Sequence, residues 1–366
     1  MTAPRTDGSE LARRVDERIA EVLAEARREF SPLSRDVAPV LGLLGRFTAG
    51  GKRLRAEFCA AGFRSARPGT EAAAVPAVVS AAASLELFHA AALVHDDIID
   101  RSDTRRGAPA AHRALAARHR EAGWAGDAER FGQNAAILLG DLLLVWSDEL
   151  FVEACARSEP EAARAAREEF RRMRTEVTLG QYLDIVEELA WPTVAVEERE
   201  ERALAVLTAK SARYSVEVPL VLGAMLAGAD PQRVHALRGI GLPLGLAFQL
   251  RDDVLGVFGE EAVMGKPAGD DLREGKRTLL IAATQARTDP AQQAWLDERL
   301  GDPRLDAEQI ARMQGRIRDS GALEEIERRI AEQLRVALAA IAAAALDERT
   351  EELLRGLAHR TAMREH

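Results

Sequence analysis

Aromatic residues make up only 4% of this 366-residue chain, and cysteine occurs twice. Cys59 and Cys155 lie far apart with no ligand-like spacing. That excludes a disulfide framework and a cysteine-rich zinc site, and suggests two core thiols in a reduced, cytoplasmic setting. Strand signals are nearly absent, with few β-branched runs and no apolar–polar alternation between turn pairs. The amino terminus, MTAPRTDGSELARR, has no apolar signal core. The longest apolar stretch, Ala72 to Leu85, closes at Glu86 and is too short to span a bilayer, so it reads as a buried helix and no stable membrane insertion is expected. An excess of positive charge is also missing. The formal net charge is −9, which argues against a nucleic-acid footprint.

What the chain does have is helix-forming material. It is 47% hydrophobic, ample for a core. Alanine, leucine, arginine and glutamate recur at helical spacing. One all-α domain over 9–366 is expected, after a disordered tail at 1–8. The spacing predicts an amphipathic helix over Leu11–Phe30, an apolar one over Glu71–Arg101 and a central one over Gln133–Ala156. A loop is expected at 119–132 and another at Gly259–Gly269, and a polar tail is expected to follow the alanine-rich helix at Ala337–Leu346.

Two acidic pairs organise the rest. Asp96, Asp97 and Asp100 close the first apolar helix, and residues four apart share a helix face, so Asp96 and Asp100 point the same way. Two carboxylates aimed at one spot repel unless a cation or a proton lies between them. The pattern suits Mg²⁺, which takes one or two carboxylates and leaves its other positions to water and phosphate oxygens. A solvated acidic helix end is the plainer alternative. The second pair, Asp252 and Asp253, again follows an apolar run. Two such pairs with basic residues nearby suggest a polyphosphate bound through several Mg²⁺ ions.

Lysine occurs only at 52, 210, 266 and 276, in a chain whose other basic residues are arginine. All four lysines lie beside candidate phosphate positions. Lys52, Arg53 and Arg55 follow Gly50-Gly51 where a helix should begin, and free N–H groups there favour anions; Arg53 could equally belong to a solvated face. Arg105 and Arg106 follow the first acidic pair. Gly259 to Lys266 is not a Walker loop, because five residues separate the glycines and Pro267 replaces Ser/Thr. Gly239, Gly241 and Gly245 miss the dinucleotide spacing and no strand precedes them. These glycines suggest close helix packing instead. His89 and the pair Gln181 and Asp184 are either core polar groups or cavity residues.

These fragments, in order, resemble the trans-type isoprenyl diphosphate synthases. Gly50-Gly51-Lys52-Arg53-Leu54-Arg55 resembles the family's first diphosphate-binding segment. Asp96-Asp97-Ile98-Ile99-Asp100 resembles its first aspartate motif, and Arg105-Arg106-Gly107 stands where the family has Arg-Arg-Gly. Gly180-Gln181 with Asp184, Lys210-Ser211, Phe248-Gln249 and Asp252-Asp253 follow in register. There are two departures. Gly256 occupies the place of a third aspartate in the second motif, so a Mg²⁺ ligand is either missing or supplied by Asp270 or Asp271. Ser211 replaces the usual threonine and keeps the hydroxyl.

The resemblance implies an all-α isoprenoid-synthase bundle around a central cavity, usually homodimeric. It implies that isopentenyl diphosphate condenses with an allylic diphosphate by ionisation, condensation and elimination. Asp96, Asp100 and Asp252 would be ligands of Mg²⁺, three ions in all. Asp96, Asp97, Asp100, Arg105, Lys210 and Asp252 would be the catalytic set. The allylic diphosphate would lie between the acidic helices on Arg105, Gln181, Lys210, Ser211, Gln249, Lys266 and Lys276. Isopentenyl diphosphate would lie on Lys52, Arg55, His89 and Arg106 without metal. The growing chain should run along the first acidic helix past the small residues Ala92 and Ala91 to a floor at Phe88, with Leu85 below it. That geometry suggests a C20 product, geranylgeranyl diphosphate, with farnesyl and longer polyprenyl products as alternatives. A class I terpene cyclase would leave Lys52, Arg55 and Arg106 unexplained and would need a hydroxyl where Gly256 stands. A non-catalytic subunit of a heteromeric synthase would tend to lose the acidic motifs, and this chain keeps both pairs.

Overall fold

The computed structural model describes residues 7–259 and 269–363. The only extended pieces among them are two-residue strands, β1 (Thr104–Arg105) and β2 (Ala108–Pro109). The chain divides into two compact units. The first comprises residues up to Glu169 together with Pro219–Val234, and the second comprises Phe170–Val218 and the chain from His235 on.

The first unit is built on α1 (Asp7–Phe30), α2 (Val37–Thr48), α3 (Leu54–Ala66), α4 (Pro76–Ile99), α5 (Ala111–Glu121) and α6 (Ala128–Ala156). Helix α1 buries Leu11, Val15, Ile19, Val22 and Ala26, a stripe at helical spacing that satisfies the amphipathic expectation. It begins at Asp7, so Asp7 and Gly8, expected in the disordered tail, are helical.

Helix α4 is the acidic helix. It starts at Pro76, later than expected, because proline favours the first helical turn and Ala72–Ala74 forms a short 3-10 turn before it. With 24 residues it is longer than the apolar run alone and long enough to cross a membrane. Its most apolar window, however, is 83% buried inside the protein. Helix α6 packs along it. Ser84 Oγ donates to Ser147 O at 2.7 Å, and Ser147 Oγ donates back to Ser84 O at 2.8 Å.

The expected loop at 119–132 is shorter than the pattern suggested. Helix α5 runs to Glu121, and α6 starts at Ala128, capped by Asp127, whose side chain accepts from the N–H of Glu129 and Arg130. Capping replaces the missing helical hydrogen bonds at that end, so α6 begins earlier than its apolar periodicity.

The second unit contains the later part of α7 (Pro160–Ala190), then α8 (Val196–Leu207), a π-helical segment over Thr208–Glu217, most of α10 (Pro231–Phe258), and the helices that follow. Helix α9 (Val218–Leu226) belongs almost wholly to the first unit. The glycine-rich stretch of α10 remains helical through Pro243. A Cβ on Gly245 would fall 2.2 Å from Ala212 O, and one on Gly241 would fall 2.6 Å from Glu217 Cα. Close helix packing therefore explains Gly241 and Gly245, but not Gly239, where a Cβ would meet nothing within 4 Å.

The carboxy-terminal helices are α11 (Asp270–Glu274), α12 (Leu279–Ala286), α13 (Pro290–Arg299), α14 (Ala307–Asp319), α15 (Ala322–Ala343) and α16 (Glu348–Ala362). The last of these corrects the expected polar tail. Asp347 caps it, and it buries Leu354, Leu357 and Ala358 on one face. Trp191, in a 3-10 turn after α7, is fully buried; its indole N–H donates to Gln285 Oε1 at 2.9 Å, and Arg199 and Arg277 lie over its ring.

Candidate active site

In the first unit the acidic end of α4 carries Asp96, Asp97 and Asp100. The Asp100 N–H still donates to Asp96 O at 2.8 Å, so the helical four-residue spacing holds to the cap. Asp96 and Asp100 are half-buried on one face. Asp97 is only 3% exposed and is turned elsewhere. It accepts from Arg105 Nε at 2.9 Å and also from Arg105 Nη2. Asp97 therefore orients Arg105, a geometry that the sequence pattern, which grouped the three aspartates, did not separate.

Arg105 and Arg106 lie in a β-hairpin that sequence reading missed. Its two-residue turn, Arg106-Gly107, has φ of +53° and +72°. Both positive values match the type I′ turn that joins tightly paired strands. The turn brings Arg106 back to the Gly50-Gly51 corner, where Nη1 donates to Ala49 O at 2.6 Å. Gly51 has φ +88°, and a Cβ there would stand 3.0 Å from Arg106 Nη2. The glycine pair thus both makes the left-handed corner and leaves room for a guanidinium.

The positive charges of Arg55, Arg106, Arg105 and Arg53 all act on His89. The buried setting first, then these guanidinium charges, push the His89 imidazole well below its ordinary value. It is therefore neutral at pH 7. Burial and the Arg53 charge likewise lower Arg106. Two of these cations already have carboxylate partners: Arg53 has Asp16 and Glu86, and Arg105 has Asp97. Of the four residues assigned to isopentenyl diphosphate, Arg55, His89 and Arg106 converge here, and Lys52 is exposed at the corner beside them.

A base whose folded pKa is depressed binds protons only in the unfolded chain between its ordinary value and the lower folded one. Stability should therefore fall as pH drops below about 6.5. His89→Gln is expected to flatten that part of the profile, measured as Tm from pH 7.5 down to 5. Parallel slopes in parent and variant would count against the assigned shift.

Arg53 corrects the solvated-face alternative. It is 6% exposed; its Nε donates to Asp16 Oδ1 at 2.9 Å, Nη1 to Glu86 Oε2 at 3.3 Å and Nη2 to Thr48 O at 2.7 Å. Glu86 is itself buried. Arg53→Met should strand that carboxylate and cost about 3–5 kcal/mol, read as a lower urea midpoint. Lys52→Met should cost almost nothing in the same assay.

In the second unit, Lys210 Nζ is paired with Asp184. Lys210 and Ser211 lie in the π-helical segment, a departure from α-helix often found at functional positions. Gly180 permits the contact, since a Cβ there would lie 2.5 Å from Lys210 N; this sets Gln181 at the same junction. Glu188, one turn past Asp184, was not singled out by sequence. Burial first, then Asp184, pushes its carboxyl up, while Lys210, Lys276 and Arg277 oppose the shift. Its position four and seven residues after Asp184 and Gln181 is the signal that could have found it.

On α10, Asp252 is half-buried and Asp253 buried. Gln249 Nε2 donates to Asp253 Oδ1 at 2.8 Å, so this glutamine is engaged with a carboxylate. Burial above all, with Asp271 and Asp252 adding to it, raises the Asp253 carboxyl well above the usual range. Lys276 Nζ lies 2.7 Å from Glu274 Oε2 and 3.4 Å from Asp271 Oδ1. Lys266 lies outside the described residues.

The donor set fits a hard divalent cation. Each acidic pair places an aspartate at a partly exposed helical position, and the second aspartate of each is turned to a side-chain partner. Among the described residues no three His, Cys, Asp or Glu groups form a ready-made cage.

Among the described residues both aspartate pairs lie on helices, with arginines and lysines near them, a set of groups suited to diphosphate esters and a divalent metal. The polyprenyl synthetase family model matches residues 43–316. The short chain isoprenyl diphosphate synthase of Methanocaldococcus jannaschii is 31% identical over 263 residues, 72% of this chain and 71% of its own. The geranylfarnesyl diphosphate synthase of Aeropyrum pernix is 31% identical over 283 residues, 77% of this chain and 80% of its own. A crystal structure of geranylgeranyl pyrophosphate synthase from Corynebacterium glutamicum, complexed with isoprenyl diphosphate and magnesium, is 39% identical with a TM-score of 0.91, covering 98% of this chain and 100% of that one. The chain belongs to the polyprenyl synthetase family, and it is a trans-prenyltransferase with the family's all-α fold.

Proposed function

We propose that this enzyme joins isopentenyl diphosphate to an allylic diphosphate and releases chiefly geranylgeranyl diphosphate. The observation that carries the reading is the hairpin that brings Arg106 back to the Gly50-Gly51 corner while Asp97 holds Arg105, in the same unit as the half-buried Asp96 and Asp100. A diphosphate would add negative charge beside Arg55 and Arg106, whose charges both act on His89.

In this reading Lys52, Arg55, His89 and Arg106 hold isopentenyl diphosphate. A neutral His89 donates one hydrogen bond without adding a fifth positive charge. Arg105, kept in place by Asp97, binds the allylic diphosphate together with Lys210, Lys266 and Lys276. Asp96, Asp100 and Asp252 would be the ligands of Mg²⁺, three ions in our reading. When bound, Mg²⁺ would draw off charge from the departing diphosphate as the allylic C–O bond ionises. Attack by the double bond of isopentenyl diphosphate on the allylic cation forms the new C–C bond, and loss of a proton to the departed diphosphate regenerates an allylic ester. Gln181 and Ser211 present dipoles suited to that cation. The pairing with Asp184 holds the Lys210 ammonium in place.

The homodimer expected of the family finds support on α6. That helix was expected to be central because it is apolar nearly all round. It packs on α4, yet Ile137, Leu138, Val145 and Val152 remain exposed, Leu138 at 63%. We assign that face to a second copy of the chain. A cytoplasmic location is consistent with two buried thiols that form no disulfide, whose burial pushes Cys59 up to about 12 and Cys155 to about 11.

The decisive experiment incubates the purified chain with labelled isopentenyl diphosphate, Mg²⁺ and each of three allylic primers of increasing length. Label should pass into a C20 product. No consumption by the chain alone would instead favour a non-catalytic subunit, and cyclic hydrocarbon would favour a terpene cyclase.

A further inference from the structure

The second aspartate pair lacks an acidic residue four positions on, where Gly256 stands, whereas the first has Asp100 four positions after Asp96. Residues four apart on a helix share a face with Cβ atoms about 5–6 Å apart. The side chain that would accompany Asp252 on its face of α10 therefore belongs at 256. That space is filled. A Cβ built on Gly256 would lie 1.9 Å from Asp271 Oδ2, 2.4 Å from Asp271 Cγ and 2.9 Å from Asp271 Oδ1.

We infer that Asp271, and not Asp270, supplies the carboxylate that this helix omits, and that Gly256 is glycine so that Asp271 can reach that place beside Asp252. The inference rests on the metal reading of Asp252 given above and deepens it. Asp271 arrives from the start of α11, which turns sharply. Gly269 and Gly275 on either side have φ of +72° and +82°, and the N–H groups of Gly275 and Lys276 both donate to Asp271 O at 3.1 Å. The same turn sets Lys276 Nζ 2.7 Å from Glu274 Oε2 and 3.4 Å from Asp271 Oδ1, so the lysine assigned above to phosphate stands beside the carboxylate. The outcome is a two-carboxylate seat like that of Asp96 and Asp100, assembled from two segments instead of one. Asp253 plays no direct part, since its carboxyl is buried and receives Gln249.

The test uses the intact chain, inorganic pyrophosphate as probe, and calorimetric titration at several Mg²⁺ concentrations, so that no turnover is needed. Asp271→Asn is expected to raise the Mg²⁺ concentration needed for half-maximal pyrophosphate binding by at least about tenfold. Gly256→Ala should do the same without altering any charge, because its methyl group expels the Asp271 carboxylate. Gly239→Ala, on the same helix with nothing within 4 Å of its Cβ, should not. The double variant Gly256→Asp with Asp271→Ala returns a carboxylate to the helix and should recover most of the Mg²⁺ response. A parental Mg²⁺ response in both Asp271→Asn and Gly256→Ala overturns the inference. So does loss in both without recovery in the double variant, which would make Asp271 a merely structural residue. Asp252→Asn separates the levels: if it too leaves the Mg²⁺ response unchanged, the metal reading of this helix fails, not only the part given to Asp271.

Discussion

Asp96→Ala is expected to lower turnover about 10³-fold while leaving helical content and Tm close to the parent's. The size follows from the charge removed. A carboxylate and a cation 4 Å apart at a partly solvated position interact by about 4 kcal/mol, close to three decades in rate. The fold should survive because α4 is held elsewhere. Ser84 and Ser147 bond it reciprocally to α6, and Glu86 ties it to Arg53. Asp96 is also half-buried, so an alanine there leaves no large void. Steady-state turnover with circular dichroism on the same sample checks both halves of the expectation. Near-parental turnover in a folded variant would contradict the metal role of this residue.

The second large effect concerns product length. Phe88→Ala is expected to lengthen the principal product beyond C20, and Ala91→Phe to shorten it toward C15. Phe88 is buried two turns before Asp96, with Leu85 buried one turn deeper. Removing the ring takes away the block and leaves a void, so Tm should fall as well, by the equivalent of about 3–5 kcal/mol. Ala91 is fully buried in the first unit's core with Leu87 and Val94, so a phenylalanine there must displace neighbours at about 1–3 kcal/mol. Ala92 is partly exposed and should accept a ring with less strain, which makes Ala92→Phe the cleaner companion. Chromatographic sizing of the prenyl products decides the matter. Unchanged products in both Phe88→Ala and Ala91→Phe would remove the floor from Phe88. The matched relatives bear names of different chain lengths at similar identity, so overall similarity does not choose among products.

Composition and periodicity by themselves determined that the protein is helical. Its apolar residues recur at helix spacing, and almost nothing in it favours strands. The chemistry was legible for the same local reason. Asp96 and Asp100 share a face at a four-residue interval, and four lysines stand out in a chain rich in arginine. These features need only neighbours along the chain. Sequence alone did not divide the three aspartates into a facing pair and a buried Asp97 that holds Arg105, and it could not tell buried Arg53 from its exposed neighbour Lys52. It also left open whether Asp270 or Asp271 answers for Gly256. Each of these turns on which distant segment a side chain meets. Arg53 finds Glu86 on another helix, Arg106 finds the Ala49 carbonyl through a two-residue turn, and Asp271 enters the space over Gly256. A spacing rule fixes direction around one helix axis but says nothing of what packs against it, so only the tertiary structure decided these contacts.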